Sequence, residues 1–299
     1  MMNFFNKLFK RRQQKENHSE IIDSGNVKAV VLSDLGNVRT NNEDIGMFYR
    51  IADDDITREK GYLLMVADGM GGHNAGEVAS RLAVETISQE YFKQDGNNGN
   101  IEKNLSLAFA AANKKIFELA AANKAYQGMG TTCTALVVKG DAVYFAHAGD
   151  SRGYIIKNDA ILRITEDHTY VQELVNKGEI SSKDADTHPK RNILTNAMGT
   201  RPGIRIDTGK CEWAFELNDK LLLCSDGLYD YITEQEMKDI VQYHSLHDAA
   251  ETMIRETKKR GAHDNITVVL AEKIADPASV PVKETRDFDL PQTKEYDLP

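Results

Sequence analysis

Leu63-Leu64-Met65-Val66-Ala67-Asp68-Gly69-Met70-Gly71-Gly72-His73 decides how the chain is read. An apolar run of five residues stops at an Asp-Gly and passes into a glycine-rich turn. Gly76-Glu77-Val78-Ala79 then opens a helical pattern. A short apolar run bounded by glycines reads as a buried strand, so Asp68 is expected at a strand end on rigid backbone, with a flexible loop after it. Leu221-Leu222-Leu223-Cys224-Ser225-Asp226-Gly227-Leu228 repeats the device far downstream. Two buried strands that each deliver an Asp-Gly suggest one site assembled from distant segments.

Around these two stretches the chain alternates between the two periodicities. Strands are expected at 27–33, 45–51, 61–67, 131–138, 142–148, 152–157, 160–165, 204–212, 220–225 and 266–271. Apolar residues recur at helical spacing over 76–92 and 101–124, and helices are also expected at 233–243 and 247–260. The first two helices are adjacent and form a hairpin suited to cover one face of a sheet. Close spacing of the strands after 131, with turns at Lys139-Gly140 and Gly149-Asp150-Ser151, predicts antiparallel neighbours. Asp53-Asp54-Asp55 reads as a solvated loop, and 166–203, with short polar helical turns and little core, as a mobile flap.

The termini differ from this middle. Residues 1–15 carry Lys7, Lys10, Arg11, Arg12 and Lys15 and no acid. Residues 1–25 are therefore read as a flexible basic arm; Phe4, Phe5, Leu8 and Phe9 give it the alternative of a weak membrane-surface contact through residues 1–12. The tail, 275–299, is acidic and is expected to be disordered. It repeats T-[RK]-[DE]-[FY]-D-L-P at 285–291 and 293–299, a duplication that fits a docking peptide for one partner through residues 285–299. The catalytic unit lies between them, at 26–274.

The balance of 41% hydrophobic and 28% charged residues suits a globular protein, and a net charge of −9 with pI near 5.5 argues against a nucleic-acid partner. Three cysteines without a C-x-x-C pair point to reduced thiols and a cytoplasmic protein. No apolar run approaches the ~20 residues that span a bilayer.

Six acids sit at predicted turns: Glu43, Asp44, Asp68, Asp150, Asp226 and Asp264. A lone Asp-Gly is an ordinary turn. Several acids converging without partners would repel, and divalent cations resolve that conflict. An all-oxygen set selects Mg²⁺ or Mn²⁺ over zinc. Two such ions activate a water and clamp an in-line phosphoryl transfer, and Arg39 offers a bidentate contact to phosphate.

The segments S-D-L-G-N-V-R-T-N-N-E-D (33–44), V-A-D-G-M-G-G-H (66–73), G-M-G-T-T (128–132), A-G-D-S-R (148–152), D-H-T-Y-V-Q-E-L-V (167–175), C-S-D-G-L (224–228) and H-D-N-I-T (263–267) occur in one order. Together they closely resemble the protein phosphatase 2C family, the metal-dependent PPM-type serine/threonine phosphatases, in its bacterial form. The resemblance covers roughly 27–272. It implies an α+β fold, a four-layer α-β-β-α sandwich of two antiparallel sheets packed face to face and flanked by helix pairs.

It also implies roles: Asp68 bridging two Mn²⁺ or Mg²⁺ ions, the Gly69 carbonyl beside it, and Asp226 and Asp264 on the first ion. Glu43 and Asp44 would hold waters at the second. Asp150, with Asp230, would serve a weaker third ion, and Arg39 would bind phosphate. A hydroxide bridging the two ions would attack phosphoserine or phosphothreonine on protein substrates, with a Hanks-type kinase as antagonist and the enzyme acting as a monomer. Met70 departs from the D-G-H of animal relatives, so the leaving-group proton must come from a metal-bound water or another residue, His73 being a candidate by proximity. The competing reading is a pseudophosphatase that binds phosphoproteins without turnover.

Overall fold

The computed structural model describes residues 18–51, 54–71, 75–93 and 99–275. The basic arm up to residue 17, His73 and the duplicated motif at 285–299 lie outside the described residues.

Twelve strands form among these residues: β1 (His18–Ser24), β2 (Val27–Asp34), β3 (Asp44–Tyr49), β4 (Tyr62–Met70), β5 (Gly130–Thr131), β6 (Cys133–Lys139), β7 (Ala142–Ala148), β8 (Arg152–Lys157), β9 (Ala160–Arg163), β10 (Asp207–Lys210), β11 (Lys220–Cys224) and β12 (Ile266–Lys273). One sheet runs β1-β2-β12-β11-β8-β9 and the other β10-β7-β6-β4-β3, with the short β5 paired to the end of β4. Every pairing is antiparallel.

Side-chain alternation explains the layers. On β4, Leu64 and Val66 point between the sheets, where they meet Val31, Leu136, Ile155, Leu223 and Val269. Leu63, Met65 and Ala67 point the other way, onto α2 (Ala75–Lys93) and α3 (Ile101–Ala122). The second sheet face, with Val30, Tyr154, Leu222 and Leu270, is covered by α7 (Glu234–Tyr243) and α8 (Leu246–Lys259). The expected four-layer sandwich is therefore the observed one. Asn100 accepts from the Lys103 amide at the start of α3, and Thr233 forms a reciprocal capping box with Glu236 at α7.

Four readings change. Residues 18–24 belong to the fold: they pair with β2 from His18↔Ser33 to Ser24↔Val27, so the arm is shorter than the 1–25 expected. Polar content hid this strand, because an edge strand needs only one partner's ladder. Asp54 and Asp55 open α1 (Asp54–Lys60) rather than a loop.

β7 and β8 are not partners, despite the three-residue turn between them. β7 lies in one sheet and β8 in the other, and Gly149-Asp150-Ser151 is a crossing between layers. The 166–203 insert, which carries α4 (Tyr170–Asn176) and α5 (Ser182–Asp186), is also anchored at its second half. Met198 is fully buried and bridges Thr131, while Asn113 of α3 accepts from the Gly199 amide at 2.7 Å and donates to the carbonyls of Arg201 and Pro202, each at 3.1 Å.

Candidate active site

The same alternation that builds the inter-sheet core places polar residues at one end of it. On β4, Asp68 has the parity of Leu64 and Val66. On β3, Asp44 has the parity of Phe48. Ser33 on β2 and Thr267 on β12 continue the inward faces of Val31 and Val269. The inter-sheet layer is thus apolar for most of its length and turns into hydroxyls and carboxylates where the strands end. Each remaining site segment is a chain exit at this end: the β2–β3 crossing with Arg39 and Glu43, the β7–β8 crossing with Asp150, the short α6 (Asp226–Tyr229) after β11, and the turn into β12 with Asp264.

Asp44 and Asp68 are directly paired across the β3–β4 ladder. Ser225 donates to Asp44 Oδ2 at 2.7 Å, and the Thr267 amide in turn donates to Ser225 Oγ at 3.0 Å. Ser33 and Thr267 share a hydroxyl contact of 2.8 Å, and Asn42 donates to Ser33 at 2.8 Å. Asn265 ties the turn before β12 to three points of the β2–β3 crossing: its Oδ1 accepts from the Glu43 amide at 2.9 Å, and its Nδ2 donates to the carbonyls of Leu35 and Asn41. Glu43 also meets the first turn of α2, where its carboxylate takes a hydrogen bond from the Gly76 backbone. A Cβ on Gly69 would stand 2.2 Å from the Gly76 carbonyl oxygen, so only glycine lets β4 pass this close to α2.

The electrostatics report the convergence. Burial, then Asp226 and Asp264, push Asp44 up to about 7, although Ser225 and Thr267 oppose the shift. Burial, then Asp44, Asp226, Asp150 and Asp264, raise Asp68 well above the carboxylate range. Asp150 is raised by burial and by Asp226, and Asp226 reaches about 6 through burial, Asp264 and Asp230. A hydrogen bond with Asp68 partly relieves Asp226, so without a cation these two acids share a proton.

Asp226 Oδ1 is buried and no described residue donates to it. An orphaned carboxylate oxygen among mutually repelling acids, with no thiol or imidazole in the donor set, fits a hard divalent cation. The tightest carboxylate–histidine trio among the described residues lies elsewhere, His247, Asp248 and Glu251 within 4.8 Å on α8. It is a surface feature, in which Asp248 is occupied by the Ser245 cap. The wider spacing of the inner acids suits ions that keep water in their shells.

Arg39 stands at the rim with half of its side chain exposed and donates to Asp264 Oδ2 at 2.7 Å. Asp150 is 6% exposed, and Tyr229 donates to its carbonyl at 3.1 Å. Tyr229 is stacked under the Arg152 guanidinium, 3.6 Å from the ring centroid, while Arg152 grips Asp167 through Nε and Nη2. Asp230 is engaged by Arg191 of the flap at 3.1 Å. Met70 ends β4 opposite Gly130. The structure therefore brings together Glu43, Asp44, Asp68, Asp150, Asp226 and Asp264 with Arg39 above them, and holds Asp230 by a flap residue. Sequence reading passes over Ser33, Ser225, Thr267 and Asn265. Ser33 and Thr267 sit at inward-facing strand positions, where a polar residue is unusual, whereas Ser225 and Asn265 flank strands and carry no local signal.

Two face-to-face antiparallel sheets whose acids converge at one end form a site suited to divalent cations and phosphate esters. Residues 51–271 match the family model described as Protein phosphatase 2C. The chain is 38% identical over 244 residues to the serine/threonine phosphatase stp of Listeria innocua, covering 81% of this chain and 94% of that one. It superposes on the Streptococcus agalactiae serine/threonine phosphatase with a TM-score of 0.75 at 32% identity, covering 83% of this chain and all of that one. The catalytic domain of the phosphatase PstP in complex with two manganese ions gives a TM-score of 0.68 at 32% identity, over 83% of this chain and 99% of that one. The chain belongs to the protein phosphatase 2C family, and within it to the bacterial serine/threonine phosphatases. No helix among the described residues is long and apolar enough to cross a membrane.

Proposed function

We propose that the chain hydrolyses phosphoserine and phosphothreonine on proteins, with two Mn²⁺ or Mg²⁺ ions held by Asp68, the Gly69 carbonyl, Asp226 and Asp264. Glu43 and Asp44 would hold water at the second ion when it is bound, and Asp150 would serve a weaker third. The observation that carries this reading is the cluster of acids raised by one another around the unpartnered Asp226 Oδ1. When bound, the ions supply an activated water and neutralise charge on the transferring phosphoryl group.

The residues do the rest. Arg39, exposed and already directed toward Asp264, clamps the phosphate oxygens through its planar fork. The Ser225–Asp44 and Asn265–Glu43 bonds lock the inner acids, so the site is preorganised before substrate arrives. The three cysteines are buried and take no part; burial pushes the Cys224 thiol up to about 12. Met70 carries no proton to give, so the leaving alkoxide takes its proton from a water or from another residue of the site. A binding-only role is not favoured, since no acid of the expected set is missing. A serine/threonine kinase that makes the phosphoproteins is the natural antagonist.

The test is hydrolysis of a phosphothreonine peptide and of p-nitrophenyl phosphate with Mn²⁺, in the native chain and in Asp226→Asn. We expect turnover that EDTA abolishes and the substitution reduces at least a thousandfold. Full activity in EDTA, or in the variant, overturns the assignment.

A further inference from the structure

Arg39 stands on irregular chain, residues 35–43 between β2 and β3. A long side chain on such a crossing is aimed only as well as its backbone is held. Asn265 holds the ends of the crossing, at Leu35 and at Asn41 and Glu43. The turn before Arg39 is held by a different element, the C-terminal end of α8.

The Asn37 amide donates to the Ala262 carbonyl at 2.8 Å, and its Nδ2 donates to the carbonyls of Lys258 at 2.7 Å and Gly261 at 3.1 Å. These carbonyls lie at the helix end, where intrahelical donors run out. Asp34 is 6% exposed and folds back over the same turn. Its Oδ1 accepts from the Gly36 amide at 2.9 Å, and Lys258 Nζ donates to both of its oxygens, at 2.8 and 3.0 Å. Gly36 has a φ of +77°, and a Cβ there would stand 2.2 Å from the Asp264 carbonyl oxygen. The turn is therefore seated on the backbone of the residue to which Arg39 is bonded.

Lys258 is used twice, by its carbonyl and by its ammonium. The other side of this helix end is fixed too. Arg260 grips Glu236 of α7 at 2.6 and 3.0 Å and donates to the Tyr231 carbonyl at 2.6 Å. The Tyr231 hydroxyl accepts from the His263 amide at 3.1 Å. Arg39 and Asp264 thus take their positions from one braced segment, 258–264. A lysine in a last helical turn ordinarily complements the helix dipole. Lys258 does more: without it, the buried Asp34 carboxylate keeps the Gly36 amide alone among the described residues.

We propose that Lys258 is a positioning residue for phosphate binding: its ammonium pins the Asp34–Gly36 turn, and that turn sets where Arg39 meets the phosphoryl oxygens. The inference rests on the reading of Arg39 as the phosphate clamp. Lys258 acts through the turn and has no part at the reacting atoms.

A double-mutant cycle in the full chain tests this, with a phosphothreonine peptide and Mn²⁺ at constant ionic strength. Lys258→Met should raise KM about fivefold to tenfold while kcat stays within about twofold. The dissociation constant of inorganic phosphate, measured by calorimetry, should rise in parallel. Lys258→Arg, which keeps donors for both Asp34 oxygens, should recover most of the loss. In an Arg39→Ala background Lys258→Met should add less than about twofold, as befits a residue acting through Arg39. Asn37→Ala loses two side-chain bonds at the same turn and keeps its amide bond, so it should shift KM the same way. It carries the test if Lys258→Met does not fold. An Arg39→Ala variant with unchanged KM overturns the clamp reading and the positioning role together. A raised KM in Arg39→Ala with native KM in Lys258→Met, or effects that multiply in the double variant, overturns the positioning role alone.

Discussion

Asp44 and Asp68 face each other as a cross-strand pair at the end of the β3–β4 ladder, two acids where a sheet ordinarily pairs opposite charges or apolar groups. Asp68→Asn should therefore separate function from stability. Activity should fall at least a thousandfold, while the metal-free protein should melt higher, by about 2–4 °C for each kcal/mol of repulsion relieved. Differential scanning calorimetry in EDTA checks the second part. A lower melting temperature for the metal-free variant would show that the two acids are not in conflict.

The raised acids also fix the pH response of the metal-free protein. Asp44 at about 7 and Asp226 at about 6 stand above their unfolded value of 3.8. Between those limits the folded state binds more protons than the unfolded one, so stability falls as pH rises from about 4 to 7. The melting temperature in EDTA should decline across that window, and Mg²⁺ or Mn²⁺ should restore it increasingly toward pH 7, as the acids lose their protons to the ions. A metal-free melting temperature that climbs over the same range would contradict this.

Gly227 follows Asp226, the residue proposed as a metal ligand, and a Cβ there would stand 1.9 Å from the Asn265 carbonyl oxygen. Gly227→Ala must push α6 away from the turn that carries Asp264. We expect a loss of about 1–3 kcal/mol, as for other overpacked sites, together with weaker Mn²⁺ binding by calorimetry. Unchanged metal affinity would mean that Asp226 and Asp264 do not depend on this contact.

Asn113 is 2% exposed and supplies three hydrogen bonds that hold 199–202 against α3. Asn113→Ala should cost about 2–3 kcal/mol at roughly one per bond. Limited proteolysis should open a cleavage site near 196–203 that the native chain lacks. Identical digestion patterns would show that the flap is held by something else.

Most of the architecture is legible in local pattern. The apolar runs at 62–67 and 220–224 mark two-faced buried strands, and the helical stripes at 76–92 and 101–124 mark the hairpin that covers one of them. The acids are legible because each lies at one end of a strand or in a turn beside one. The inward hydroxyls Ser33, Ser225 and Thr267 and the amide of Asn265 are not, since their partners lie up to 234 residues away. A side chain's neighbours across sheets leave no trace in local spacing. The β1 edge strand and the β7–β8 crossing escape sequence reading for a related reason. Local pattern reports what a segment prefers, and strand pairing is a choice among distant partners.

The sequence alone determined which residues alternate, which turns carry acids, and through its seven ordered segments the family. Tertiary structure decided that Asp44 and Asp68 oppose each other, that Asp226 keeps an oxygen without a partner among the described residues, and that Asp230 is taken by Arg191. The division is physical. Periodicity is set by backbone geometry within a few residues, whereas charge repulsion, desolvation and hydrogen-bond vacancy exist only once distant groups share one volume.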